Sequence, residues 1–199
     1  MNKIAICLLA LALPTVANAD TKSTKKPAAP SQEEMQKMMA EMEKLAAPGP
    51  EHKALAESVG NWTATTRMWM EPGKPPTESQ GTEKVESVLG GRFVQFHAAS
   101  TMMGKPFEGL GMEGYDNMKK KWVMTWADSF GTVIIYAEGT GDAKQRTFTG
   151  EETEPNGQKR PFKWVIKNEG KDKRTMEMWA PGMDGKEAKE MEVVYTRAK

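Results

Sequence analysis

The first patterned segment of the chain has the period of an amphipathic helix. Between residues 31 and 47, apolar side chains recur at i, i+3, i+4 and i+7, with charged residues between them. Ser31 precedes this run as an N-cap, and Pro48-Gly49-Pro50 ends it. The apolar face consists largely of methionine, at Met35, Met38, Met39 and Met42. We therefore predict a methionine-faced helix over residues 31–47.

From Gly60 onward the period changes from 3.6 to 2, which is typical of β-strands. Short turns rich in Gly, Pro and Asn separate the alternating runs, and no helical run lies between them. The runs cover residues 62–70, 81–89, 92–102, 107–115, 121–127, 132–138, 145–153, 160–167, 174–179 and 188–197. Short sequential hairpins favour antiparallel neighbours, and closure hides both edges of such a sheet. We predict an all-β, antiparallel up-and-down barrel of about ten strands over residues 48–199, with a β-sandwich as the alternative.

The first nineteen residues have the pattern of a bacterial secretory signal peptide. Lys3 supplies the positive charge, an apolar run follows, and Ala17-Asn18-Ala19 is a small-x-small cleavage site. The apolar run is about half of the ~20 residues that a membrane span needs. We therefore predict cleavage after Ala19, a periplasmic or secreted protein, and no transmembrane segment in the mature chain. Residues 20–30 are polar and contain Lys and Pro, which predicts a flexible spacer.

The amino-acid composition argues against several classes of function. With 28 basic and 27 acidic residues, the net charge of +1 gives no reason to expect nucleic-acid binding. The signal peptide carries Cys7, the one cysteine, so the mature chain has neither a thiol nucleophile nor a disulfide. Two widely spaced histidines argue against a histidine-rich zinc site. No nucleophile or acid–base pair stands out, so we predict neither an enzyme nor a bound cofactor.

One segment matches the G-x-G-x-x-G pattern of dinucleotide-binding loops, at Gly109, Gly111 and Gly114. That motif works where a strand leads into a helix whose N-terminus meets the pyrophosphate. Here another predicted strand follows, so the glycines are expected to let a strand bend or a bulky neighbour approach.

Two sets of residues resemble known families. Gly60-Asn61-Trp62 at the first strand, with Arg197 in the last, resembles the Gly-x-Trp signature of calycins, the lipocalin-like barrels. In that superfamily a basic residue of the last strand packs on the Trp ring and closes the barrel base. Longer stretches resemble the bacterial family called domain of unknown function 1579, at residues 88–93, 106–116, 126–132 and 191–197. The resemblance implies a calycin-like barrel closed by Gly60, Trp62 and Arg197, and it implies no activity.

A barrel of this kind suggests that the protein binds a small apolar or amphipathic ligand in its lumen. Gln95 and His97 would orient such a ligand if their face of the strand points inward; otherwise His97 is a surface residue. The expected aromatic and methionine walls are Trp122, Met124, Trp126, Phe162, Trp164, Met176 and Met178.

The sequence is also compatible with two alternative functions. The first is a non-catalytic interaction or scaffold module that docks through the methionine-faced helix on a protein partner not identified by the sequence. The second is metal or haem binding, with methionine thioethers holding Cu(I) or with His97 ligating haem. The simplest role for the methionine face is packing against an apolar surface.

Overall fold

The computed structural model describes residues 29–71, 73–182 and 184–199. The predicted signal peptide and residues 20–28 of the predicted spacer lie outside the described residues. In the described part of the chain, two helices, α1 (Gln32–Ala46) and α2 (Pro50–Ala56), precede the strands, and a short 3-10 turn spans Leu89–Gly91. The strands are β1 (Gly60–Met68), β2 (Thr77–Val88), β3 (Phe93–Met102), β4 (Lys105–Asp116), β5 (Lys121–Asp128), β6 (Ile135–Gly141), β7 (Gln145–Thr153), β8 (Lys159–Asn168), β9 (Lys173–Pro181) and β10 (Glu187–Arg197).

The ten strands form one closed antiparallel barrel in which sequence neighbours are also spatial neighbours. Strand β1 completes the circle by pairing with β10, in a register that runs from Trp62 opposite Arg197 to Met68 opposite Met191. The predicted all-β up-and-down barrel is therefore confirmed, and the sandwich alternative is wrong. Closure leaves no free sheet edge in the barrel, which removes the usual site of strand-to-strand aggregation.

The up-and-down order gives the barrel two distinct ends. Helix α2 leads into β1 at one end, which we call the α2 end, and Leu55 of α2 joins the buried core there. His52 of α2 is buried, and its ring packs edge-on against Tyr115. Its Nδ1 accepts a hydrogen bond from the Gly49 amide at 2.9 Å. The opposite end, where β5 finishes and β8 begins, is called the far end below.

The core consists of inward-facing apolar side chains from both helix α2 and the strands. Trp122, Phe148 and Ala137 are at most 1% exposed. The remaining members of the cluster are Leu55, Trp62, Val85, Val94, Met124, Phe162, Trp164 and Ile166. Trp62, Trp122 and Trp164 all belong to this cluster, so large aromatic side chains make up much of the core.

Two segments predicted to be turns are strand instead. Strand β2 begins at Thr77, inside the proline-rich segment, and β6 continues through Gly139 to Gly141. A Cβ on Gly139 would lie 2.7 Å from the Phe148 ring, so this glycine makes room for a core side chain. Glycine in a strand can mark close packing as well as a turn, and a local pattern does not distinguish the two.

Helix α1 covers most of the segment predicted to be helical. Glu33 and Glu34 lie in its first turn, and Ser31 exchanges hydrogen bonds with Glu34. In the part of α1 from Met39 onward, Met39 and Met42 are exposed, so these two side chains do not have the predicted packing role. Across the described residues, the structure contains no helix long and apolar enough to span a bilayer.

Candidate functional site in the barrel lumen

The barrel encloses a cavity of about 360 Å³. Its wall is formed by residues that alternate along the strands toward the inside, as Val94, Phe96 and Ala98 do on β3. Apolar side chains make up most of this wall, and charged groups occur at a few defined places. The cavity therefore has the general make-up of a small-molecule site.

Methionine is the most frequent large side chain of the wall. Of the described residues that line the cavity, six are methionines: Met68, Met102, Met124, Met176, Met178 and Met191. An unbranched thioether side chain has three rotatable bonds and changes shape at low cost. These positions give the cavity a wall that can adapt to ligands of different outline.

The three glycines of the G-x-G-x-x-G segment leave room for aromatic rings of neighbouring strands. A Cβ on Gly109 would collide with Trp126, one on Gly111 with Phe96, and one on Gly114 with Phe93. Strand β4 therefore has no side chains where the rings of its neighbours lie against it. This confirms that the glycines accommodate bulky neighbours, and the segment continues as a strand rather than opening a helix.

Four aromatic rings meet at the far end of the cavity and form what we call the aromatic cluster. Trp126 stacks with Phe96 at 5.9 Å and with Phe107 at 6.4 Å between ring centroids. Phe130, from the β5–β6 connection, meets Phe107 edge-on at 5.3 Å. All four rings line the cavity, and Phe130 is 44% exposed. The cluster therefore reaches from the lumen to the protein surface.

Asp128 holds part of this cluster in place. Its Oδ2 accepts a hydrogen bond from Trp126 Nε1 at 2.9 Å, and its Oδ1 accepts one from the Phe130 amide at 2.9 Å. The next residue, Ser129, accepts a hydrogen bond from the Glu108 amide through its hydroxyl at 3.1 Å. Asp128 and Ser129 thus stabilise a turn, and Asp128 also lines the cavity.

A buried ion pair joins Glu83 of β2 to Arg174 of β9. The Arg174 guanidinium lies 4.8 Å from the ring centre of Trp62 and 4.2 Å from that of Tyr195. Burial lowers the pKa of Arg174 and raises the pKa of Tyr195. Glu83, Arg174 and Tyr195 all line the cavity, so its polar wall in this region is already internally paired.

A second buried pair joins Glu113 of β4 to Arg146 of β7, with 2.7 Å between Glu113 Oε1 and Arg146 Nε. Arg146 also lies over the Trp122 ring, 4.9 Å from its centre. Burial raises the pKa of Glu113, and the positive charge of Arg146 opposes that rise. Glu113 also lines the cavity, so its carboxylate lies between Arg146 and the lumen.

The residues of the Gly-x-Trp resemblance meet at the α2 end. The Arg197 guanidinium lies 4.3 Å from the Trp62 ring centre. It donates to the carbonyl oxygens of Glu57 and Val59, each at 2.8 Å, and to that of Lys171 at 3.0 Å. Gly60 has a φ of +138°, and a Cβ there would lie 2.6 Å from Arg197 Nη1.

The structure separates the predicted wall residues into two groups. Met124, Trp126, Trp164, Met176 and Met178 line the cavity. Trp122 and Phe162 are buried in the core and do not contribute to the cavity wall.

Gln95 and His97 require a correction, because they lie on the outer face of β3. His97 is exposed, while Val94 and Phe96 point inward on the alternate positions. The period-two rule places Gln95 and His97 together on one face but does not say which face is inside. Neither histidine lines the cavity, so the predicted haem ligation by His97 from within the lumen is not supported by its position.

Sequence analysis missed the charged groups of the lumen. Glu83, Glu113 and Arg174 sit in alternating runs where a charged residue is normally expected to face water. One available signal is register: Glu83 is two residues from Val85 and therefore shares its face. Within the described part of the chain, no group of three or more His, Cys, Asp or Glu residues could hold a metal ion.

Comparison with known proteins gives a family and a fold. A search of curated proteins finds no match. Among solved structures, "Crystal Structure of Rv2717c from M. tuberculosis" is 14% identical, with a TM-score of 0.56, covering 77% of this chain and all (100%) of that chain. This likeness shows a shared barrel fold.

Two designed proteins are also similar at lower TM-scores. A redesigned beta barrel is 12% identical with a TM-score of 0.41, covering 77% of this chain and 100% of that one. A de novo fluorescence-activating beta barrel is 14% identical with a TM-score of 0.43, covering 73% of this chain and 97% of that one. The family model that matches, over residues 47–197, is described as Protein of unknown function (DUF1579), and the chain belongs to this family.

Proposed function

We propose that the protein binds a small apolar or amphipathic molecule in the lumen of its barrel. The observation that carries this proposal is the cavity of about 360 Å³ with its largely apolar wall. Ligand sites in proteins have volumes of roughly 300–1,000 Å³ and combine apolar walls with a few polar groups. The lumen falls within that range and has that composition.

The pairing of the internal charges supports the same conclusion. Glu83 is paired with Arg174, and Glu113 with Arg146. A ligand therefore does not need to neutralise either pair, and its affinity comes mainly from burial of apolar surface against the aromatic and methionine side chains. Such burial contributes about 25 cal/mol for each Å² removed from water. The signal-like sequence at residues 1–19 supports export as part of the proposal.

The test is direct binding of two neutral probes, the dye Nile red and dodecan-1-ol. Nile red fluorescence reports entry into an apolar site, and dodecan-1-ol should displace the dye. The variant Ala98→Phe places a ring into the cavity, while His97→Phe adds the same ring to the outer face of the same strand. Far-UV circular dichroism checks that both variants keep the barrel.

We expect Ala98→Phe to reduce Nile red affinity about tenfold or more and His97→Phe to leave it unchanged, because only Ala98 lines the cavity. Equal loss in the two variants would place the dye on the outer surface. Absence of saturable binding of either probe to the natural chain would overturn the proposed function.

A docking module remains a second candidate, supported by the exposure of Met39 and Met42 on α1. Replacing both methionines by Gln keeps the helix and removes apolar surface. The lumen proposal expects Nile red and dodecan-1-ol affinities to be unaffected by this change, so the two functions are separable by experiment.

A further inference from the structure

We propose that the ligand of the lumen is a cationic amphiphile, with its apolar tail inside the barrel and its positive head at the aromatic cluster of the far end. This inference rests on the proposed function and names the chemical class of the ligand. Three observations carry it: the aromatic rings at the mouth, the sign of the charges in the wall, and the engagement of every arginine near the lumen.

The aromatic cluster provides a surface suited to a cation. Phe96, Phe107, Trp126 and Phe130 lie within 5.3 to 6.4 Å of one another as successive neighbours, and all line the cavity. The face of an aromatic ring carries partial negative charge, and groups of such rings bind quaternary ammonium ions. Phe130 is 44% exposed, so a charged head placed here keeps contact with water.

Most charged side chains of the cavity wall are negative. Within the described residues, the cavity wall contains a single basic side chain, Arg174. It contains five carboxylates: Glu83, Glu113, Asp128, Glu152 and Glu190. Glu83 and Glu113 have their own arginines, so the excess lies with the other three. By the strand order, Asp128, Glu152 and Glu190 all lie at the far end, where the aromatic cluster is found.

These three carboxylates are only partly compensated. Arg160 pairs with Glu152, Glu154 and Glu190, so one guanidinium serves three carboxylates. Asp128 accepts hydrogen bonds from Trp126 and Phe130 and forms no salt bridge with the described part of the chain. The mouth therefore has a surplus of negative charge next to its aromatic rings, a combination that attracts cations and repels anions.

Among the described residues, each arginine at the lumen or its far end is already engaged and is not free to receive an anionic head. Arg174 is paired with Glu83 and enclosed between the rings of Trp62 and Tyr195. Arg160 donates to Glu152, Glu190 and the carbonyl oxygen of Pro181, the last at 3.1 Å. An anionic head bound by either arginine would have to break one of these pairs, whereas a cationic head finds carboxylates and aromatic faces already in place.

The experiment compares three ligands that share a twelve-carbon chain and differ in the charge of the head: dodecyltrimethylammonium, dodecan-1-ol and dodecyl sulfate. Each displaces Nile red from the full chain at concentrations below micelle formation. We expect dodecyltrimethylammonium to bind about tenfold tighter than dodecan-1-ol and dodecyl sulfate to bind weakest. Raising the salt concentration should weaken only the cation, because salt screens exposed charges.

Two variants locate the head. Asp128→Asn removes a charge at the cluster and retains one side-chain oxygen, and Glu190→Gln removes a charge on the opposite wall. Each should weaken dodecyltrimethylammonium about threefold to tenfold and leave dodecan-1-ol unchanged, which also shows that the variant is folded. Glu86→Gln, on an exposed position of β2, is the matched control.

The outcomes separate this inference from the proposed function. Equal affinity for all three ligands, or tightest binding of dodecyl sulfate, would overturn the cationic assignment while leaving a lumen binder. An unchanged affinity for dodecyltrimethylammonium in both variants would overturn the placement of the head. Failure of all three ligands and of Nile red would overturn the proposed function itself.

Discussion

The guanidinium of Arg197 lies 4.3 Å from the centre of the Trp62 ring and donates to three backbone carbonyls, two in the α2–β1 connection and one in the β8–β9 turn. Trp62 and Arg197 are also opposite each other in the β1–β10 register. One side chain thus ties the last strand, the first strand, the end of α2 and the β8–β9 turn together. This contact closes the barrel at the α2 end.

Replacing Arg197 by Met should lower the free energy of unfolding by about 2 kcal/mol, because charged hydrogen bonds to carbonyls and the contact with the ring are lost. Arg197→Lys should recover only part of this stability, since an ammonium group cannot reach several carbonyls at once. Urea unfolding followed by far-UV circular dichroism measures both changes.

The matched control is Arg67→Met on the same sheet, where the arginine is paired with Glu78 and Glu192 and its side chain is 42% exposed. Exposed pairs contribute about 1 kcal/mol or less, so this variant should stay close to the natural chain. If Arg197→Lys proves as stable as the natural chain, the fork of hydrogen bonds is not what stabilises this end.

The Glu113–Arg146 pair predicts a large difference between single and double variants. Arg146→Leu leaves a carboxylate buried without its cation, which typically costs roughly 3–5 kcal/mol. The double variant Glu113→Leu/Arg146→Leu removes both charges from the interior and should lose much less stability than Arg146→Leu alone. Urea unfolding of the single and double variants forms the required thermodynamic cycle.

The direction of the pH dependence follows from the pKa of Glu113, which burial raises above its ordinary value of 4.5. A carboxyl with a raised pKa binds its proton more readily in the folded state than in the unfolded state, so stability falls as the pH rises above the ordinary value. Removing Arg146 should strengthen this effect, because its positive charge opposes the rise. Arg146→Leu should therefore be more stable at about pH 5 than at about pH 8, and the double variant should lack that difference. Equal stability of Arg146→Leu at both values would contradict the argument.

The close contact between Gly109 and the Trp126 ring predicts that substitutions at these two positions are energetically coupled. A Cβ at this position collides with the Trp126 ring and with no other neighbour as closely. Gly109→Ala should cost about 1–3 kcal/mol, as overpacking of a core usually does. The loss of unfolding free energy should be smaller in a Trp126→Phe background, because the smaller ring leaves room for the added methyl group.

The control for this pair is Gly131→Ala, where the nearest atom, the Val133 nitrogen, would be 3.9 Å from the new Cβ. This substitution should leave the unfolding midpoint in urea nearly unchanged. If Gly109→Ala costs the same with and without Trp126, the strand rather than the ring is what excludes a side chain.

The fold could be predicted from local pattern because every strand of the barrel is a neighbour of the next along the chain. Period-two alternation and short turns are then sufficient to specify the topology. The errors occurred where one residue type has two roles: Gly139 makes room for Phe148 inside a strand, although Gly-rich segments usually indicate turns.

The site was less accessible to sequence analysis because its charged residues pair across the barrel. Glu83 meets Arg174, and Glu113 meets Arg146, between strands that are not adjacent in the sheet. No short spacing signals such pairs. It was similarly difficult to predict which face of β3 points inward. Phe93 shares a face with Gln95 and His97, and Phe96 lies on the other face, so hydrophobicity alone did not assign Gln95 and His97 to the outside.

Glu138 lies on the outer surface, and its carboxylate accepts hydrogen bonds from Lys119 at 2.6 Å and from Lys121 at 2.7 Å. These bonds, that of Lys119 foremost, lower the pKa of Glu138 from 4.5 to about 2. A carboxyl with a lowered pKa stabilises the folded state above its ordinary pKa, and this contribution is lost as the pH falls through about 2. The double variant Lys119→Met/Lys121→Met should therefore raise the pKa of Glu138 toward 4.5, measured by carbon NMR of the side-chain carboxyl, whereas Lys120→Met should leave it near 2. A pKa that stays near 2 in the double variant would mean that the two lysines are not its cause.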